Sequence, residues 1–160
     1  MQDIFLEHKT IIVFLHVISA VVWVGGMIAM RYAAHYSFLE IESPQKRLER
    51  IAHALKRLFY IVLPFVITLI VTAVFMIKGY GLSQSDFSTL SHAKEGIWSV
   101  MFINLIVMIL RRNRGERMLH EGNMVGAKNQ IELIGKFMVP LNIILGVSAI
   151  FLGTLLSSSL

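Results

Sequence analysis

IIVFLHVISAVVWVGGMIAMR, Ile11 to Arg31, decides what kind of chain this is. The twenty residues from Ile11 to Met30 carry no formal charge. At the α-helical rise they span about 30 Å, the thickness of a hydrocarbon core. The stretch reads as a transmembrane helix with a histidine inside it. His16 lies five residues past Ile11, roughly 8 Å below one edge of the apolar layer. An imidazole at that depth has no bulk water around it, so it marks a candidate functional site whose partners sit on neighbouring helices.

Outward from this stretch, the 160 residues are 56% hydrophobic with a mean hydropathy of +0.68, which places the chain among integral membrane proteins. Four spans are expected, over about 11–30, 58–77, 96–112 and 137–156, forming one domain. The third is short, because its apolar run covers only Ile97 to Leu110, and it needs Arg111 or Arg112 to snorkel to the interface. MQDIFLEHK has no cationic leader and no small-residue cleavage site closes the first apolar run, so the first helix is expected to be retained.

The net charge of +5 is distributed by topology. Arg31, Lys46, Arg47, Arg50, Lys56 and Arg57 fill the first connection, and Arg111, Arg112, Arg114, Arg117, Lys128 and Lys136 fill the third. Lys9, Lys78 and Lys94 lie on the opposite side. The positive-inside rule then puts both basic connections in the cytoplasm and both termini outside. The charge sets orientation in the lipid bilayer and argues for no nucleic acid. With no cysteine, the chain has no disulfide, thiolate metal site or cysteine nucleophile.

Each span carries one polar or small face. In the first, His16, Ser19, Trp23, Gly26 and Met30 share a side. Gly25 and Gly26 let a neighbouring helix or a flat cofactor come close, and simple helix packing is the plainer explanation. The helix is expected to continue past Arg31 through YAAHYSFLEIE. Ser43 then caps a new helix with Pro44 at its first position, running unbroken into the second span. That span carries Arg57, Tyr60, Pro64, Thr68 and Thr72 along one stripe, with threonine hydroxyls available to the carbonyl that the proline frees. GYGLSQSDFSTLSH, Gly79 to His92, is a glycine- and serine-rich outer lid. Lys94, Trp98, Met101, Asn104 and Met108 share a face of the third span, and counting from the outer boundary sets Met101 and Thr72 level with His16. The second cytoplasmic connection breaks near Gly122 and Gly126. Asn142, Gly146, Ala149 and Gly153 form a small-residue stripe on the last span. His35, His53 and His120 fall outside the spans as solvated or interfacial groups. The fold expected is an all-α, antiparallel four-helix membrane bundle with helical cytoplasmic extensions.

These residues resemble those of a known group. LHVISAVVWVGG, with His16, Trp23 and Gly26 and with Arg31 at the cytoplasmic end, is similar to the first helix of copper-resistance D (CopD) type membrane domains and of HemJ-type protoporphyrinogen oxidases. KRLFYIVLP, carrying Arg57, Leu58 and Pro64, resembles the second helix of the HemJ type. HAKEGIW sets Lys94 where both groups begin their third helix, which closes near RRN as CopD domains do. The chain departs from the HemJ type where a late third-helix histidine and an asparagine-glutamate-x-proline motif are expected, since Asn104 and FMVPLN stand there without a glutamate. The resemblance implies a membrane domain of bacterial inner (cytoplasmic) membranes that binds b-type haem or copper.

Three functions follow. In the first, His16 is an axial ligand of haem b. Met101 or His92 is its second ligand, Trp23 lies on the same face, and Lys94, Arg31 and Arg57 are partners for the propionates. Such a protein would act as a haem-dependent membrane oxidoreductase with a membrane redox partner. In the second, His16 holds Cu(I) with Met27, Met76 or Met101. In the third, the chain is a structural or assembly subunit, alone or as a homo-oligomer, and His16 is only hydrogen-bonded. With no carboxylate pair inside the spans, any redox chemistry belongs to the cofactor.

Overall fold

A computed structural model describes residues 2–80 and 88–158, with side chains described for 3–80 and 95–155. The outer lid between Gly79 and His92 therefore lies largely outside the described residues. The described elements are all helices. Helix α1, Gln2–Ala29, passes through one wide turn at Met30–Ala34 into α2, His35–Leu39, so the first span does run on past Arg31. α1 bends at His8, whose backbone leaves the helical region. α3 covers Pro44–Gly79, with Ser43 accepting from Lys46 N–H and proline at the first turn, as the sequence indicates. α4 covers Ser88–His120, and α5, Met124–Leu133, leads through a second wide turn at Ile134–Met138 into α6, Val139–Ser158.

The break between α4 and α5 falls at Gly122 alone, whose φ of 76° suits a residue without Cβ. Gly126 is not a breaker. It lies inside α5, and its N–H is capped by the Asn123 side chain at 2.9 Å.

Among the described residues, three segments are long and apolar enough to cross a membrane: Asp3–Leu39, Pro44–Gly79 and Met124–Leu155. The described part of α4 is not among them, and its apolar run lies between Glu95 and the pair Arg111 and Arg112. The core is a seam of Trp23, Val24, Met27, Phe59, Val62, Val66, Met101, Leu105 and Met108 from α1, α3 and α4, joined by Ile131, Ile134 and Val139 from α5, the second wide turn and α6. Large apolar side chains such as Phe14, Ile67, Ile103 and Ile144 point outward from the long helices. In water these would be a liability, whereas in lipid they are the solvent-matched surface.

α1 and α3 meet along their length in reversed order. Phe5 packs on Gly79 and Tyr80, His16 bonds Thr72, and Gly26 faces Leu58 and Val62. α4 meets α5 and α6 in the same way, through Arg111 with Gln130, Asn104 with Met138 and Asn142, and Met101 beside Gly146.

The polar stripe of α3, expected to face into the bundle as on the other spans, faces outward over most of its length. Arg57, Tyr60 and Pro64 are exposed, and the buried face is Leu48, Ala52, Leu55, Phe59, Val62, Val66 and Thr72. In lipid no transfer from water drives apolar residues inward, so the buried face is the one that packs closely on α1 and α4. α3 carries Pro64 without ending, and Thr68 donates to the carbonyl of Pro64 itself at 3.0 Å. The carbonyl left without its donor by a proline is four residues back, that of Tyr60, so Thr68 does not serve it.

Candidate functional site

His16 is half-buried on α1, and its Nδ1 lies 3.0 Å from Thr72 Oγ1 on α3. The Thr72 hydroxyl is also 2.7 Å from the Thr68 carbonyl and 3.1 Å from that of Leu69, within its own helix. With Nδ1 protonated, the ring donates to Oγ1, and in the other tautomer the hydroxyl donates to Nδ1. The first arrangement is the one in which metal-bound histidines are commonly held. Thr72, 5% exposed, is itself locked in place.

Above this pair Phe5 is buried against Gly79 and stacks edge-on with Tyr80 at 4.9 Å, while Lys9 Nζ lies 5.1 Å from the centre of the Tyr80 ring. Below it the bundle is filled. A Cβ on Gly26 would come within 3.0 Å of Leu58 and 3.7 Å of Val62, so this glycine serves helix packing. Gly25 faces open space on the outer side of α1. Among the described residues, no slot for a flat ring exists at the glycine pair.

Met101 does not sit at the depth of His16. A Cβ added at Gly146 would lie 2.5 Å from Val24 and 3.2 Å from the Met101 methyl, which brings Met101 beside Val24. Val24 is eight residues beyond His16, about 12 Å along α1. The counting failed because the apolar edge of α4 does not set its register. Buried polar bonds do: Asn104 donates to Asn142 at 2.8 Å and to the Met138 carbonyl at 2.9 Å, and Arg112 donates to the Ala52 carbonyl at 2.9 Å. These pins slide α4 about two turns toward its basic end. His92 and Lys94, nine and seven residues before Met101, then flank the level of His16 along the helix axes.

His92 and Lys94 fall on the first turns of α4, and their side chains lie outside the described residues. Glu95 is half-buried, and nothing in its sequence position at the edge of an apolar run marked its depth. Trp23 is 2% exposed, seven residues below His16, and its indole nitrogen has no hydrogen-bond partner among the described residues. Arg31 is fifteen residues from His16, with its guanidinium 5.9 Å from the Tyr32 ring centre. Arg57 is exposed beside the level of Gly26. Neither arginine is brought to the histidine; both belong to the far end of the span.

Of the thioethers considered with His16, Met27 and Met101 are fully packed in the core two to three turns away, leaving Met76, one turn from Thr72 on α3. Among the described residues, no three His, Asp or Glu side chains gather as a metal cluster. Past Arg31, where the uncharged run of the first span ends, partial burial and the neighbouring charge of Arg31 lower the His35 pKa below the ordinary imidazole value.

No family model, no curated protein and no solved structure matches the chain.

Proposed function

We propose that the chain is a four-span, antiparallel membrane bundle of a bacterial cytoplasmic membrane that binds b-type haem in its outer half through His16. The observation that carries this reading is a histidine held inside an apolar span, its Nδ1 3.0 Å from the hydroxyl of Thr72 on the neighbouring helix. α4 supports the four-span reading through its own lipid-type face, where Val100, Ile103, Ile106 and Leu110 are exposed. The resemblance of LHVISAVVWVGG and HAKEGIW to haem-binding membrane proteins points the same way.

Haem, when bound, would supply one-electron redox chemistry. The protein's part is positional. Thr72 orients the imidazole through its contact with Nδ1. Phe5 and Tyr80 cover the outer end of the α1–α3 contact. His92 and Lys94, one residue to either side of that depth on α4, are its nearest ionisable residues, and Lys94 is suited to a propionate contact.

The test is a visible absorption spectrum, oxidised and dithionite-reduced, of protein purified in mild detergent after expression with haem precursor. A Soret band with sharpened α and β bands on reduction supports the reading. A folded, colourless protein contradicts it and leaves the structural or copper-holding roles, which elemental analysis and co-purifying subunits separate.

A further inference from the structure

Four arginines crowd the basic end of α4, and they do not share one role. Arg112 is 3% exposed and turned inward, where it grips both carboxylate oxygens of Glu116 at 2.6 Å and the Ala52 carbonyl at 2.9 Å. That ion pair consumes the nearest acid. Arg111, Arg114 and Arg117 lie on the outward side, along two adjoining clefts that share Leu110 and Arg114. Arg114 makes no hydrogen bond or ion pair among the described residues, Arg111 is bonded only to the neutral Gln130 at 3.1 Å, and Arg117 has a long, exposed contact of 3.9 Å with Glu121.

The floor of the clefts is apolar. Val107 and Leu110 line them one turn below Arg111 and Arg114, at the end of the apolar run of α4. From Val107 to Arg117 is ten residues, about 15 Å, which covers the end of a hydrocarbon core and the headgroup layer above it. An apolar step surmounted by guanidinium groups with almost no acid to neutralise them matches one kind of molecule, a phospholipid with an anionic headgroup.

We propose that this face of α4 is a binding site for an acidic phospholipid of the cytoplasmic leaflet. The phosphate is taken by Arg114 with Arg111 and Arg117, which donate paired N–H groups to phosphate oxygens, and an acyl chain lies along Val107 and Leu110. The inference goes beyond haem binding and does not depend on it.

The experiment reconstitutes the chain in bilayers of equimolar phosphatidylglycerol and phosphatidylcholine, extracts it gently, and measures the lipids retained by mass spectrometry. Phosphatidylglycerol is expected to be enriched, with Arg114→Gln and Arg117→Gln each lowering the enrichment about fivefold. Lys46→Gln, which removes an exposed charge on another helix, should leave it unchanged. Both arginines are exposed, so their loss leaves the packing intact, and an unchanged far-UV circular dichroism spectrum checks this. Equal retention of the two lipids overturns the proposal. So does an equal loss in Lys46→Gln, which would mean diffuse charge attraction. Displacement of the lipid by inorganic phosphate alone would also overturn it, by identifying a site for a free anion.

Discussion

Thr72 meets the ring of a histidine 56 positions earlier at 3.0 Å, and so a polar residue of a span becomes a positioning device for His16. Thr72→Val keeps the shape and removes the hydroxyl. It is expected to weaken haem retention by about 10–100-fold, the usual cost of losing the group behind a metal-bound histidine, with Thr72→Ser restoring it. Haem transfer to an apo-globin acceptor reads this directly, and equal retention in Thr72→Val would remove Thr72 from the site. His16 was legible in the sequence because nothing charged surrounds it for a full span, and Thr72 was legible as its partner in depth. Met101 was misplaced because depth was counted from an apolar edge that does not govern α4. At the interface, His35 offers a pH test. Its lowered pKa means that the folded chain holds fewer protons than the unfolded chain near the ordinary imidazole value. Stability should therefore rise as pH climbs through that range and be lost as pH falls through it. Thermal melts between about pH 5 and pH 8 should show this slope in the native chain and a flatter one in His35→Gln.

Between helices, contacts of two kinds hold the register. Glycines bring backbones together at Gly146 against Val24 and Met101, and at Gly79 against Phe5. Gly146→Leu would force side chains into that space and should cost about 1–3 kcal/mol, read by denaturant unfolding in detergent. Trimming the neighbour in Gly146→Ala/Val24→Ala should be better tolerated, and indifference to Gly146→Leu would mean that α1 and α6 do not meet there. Polar pins are the second kind. Arg112→Leu removes charge-assisted bonds to Glu116 and a bond to the Ala52 carbonyl, and should cost about 1.5–3 kcal/mol. The double variant with Glu116→Leu should recover part of this, because it no longer leaves a carboxylate without its partner. The small-residue stripe of α6 could be read from the sequence because its spacing repeats every turn. The inward face of α3 could not be read from Arg57, Tyr60 and Pro64, since burial there follows Phe59, Val62 and Val66.

The whole chain should cross the bilayer four times, with the connections after α2 and α4 on one side and Lys9 on the other. The native sequence has no cysteine, so single replacements can be labelled against no background. Glu42→Cys and Lys128→Cys should react only from the cytoplasmic face, and Lys9→Cys only from the opposite face. Accessibility of Lys128→Cys from the outer face would mean that α4 does not span. This topology is legible in the placement of charges along the sequence, whereas the span status of α4 rests on its exposed Val100, Ile103, Ile106 and Leu110. Bound haem per protein in the native chain, His16→Ala and His120→Ala, purified side by side, is the most direct measurement of what the bundle is for. The exposed His120 is held, among the described residues, within its own helix through a 2.7 Å contact with the Glu116 carbonyl. Loss of haem in His16→Ala with native levels in His120→Ala is the expected result. Equal haem in all three, or none in the native chain, would contradict the assignment of His16 as the ligand.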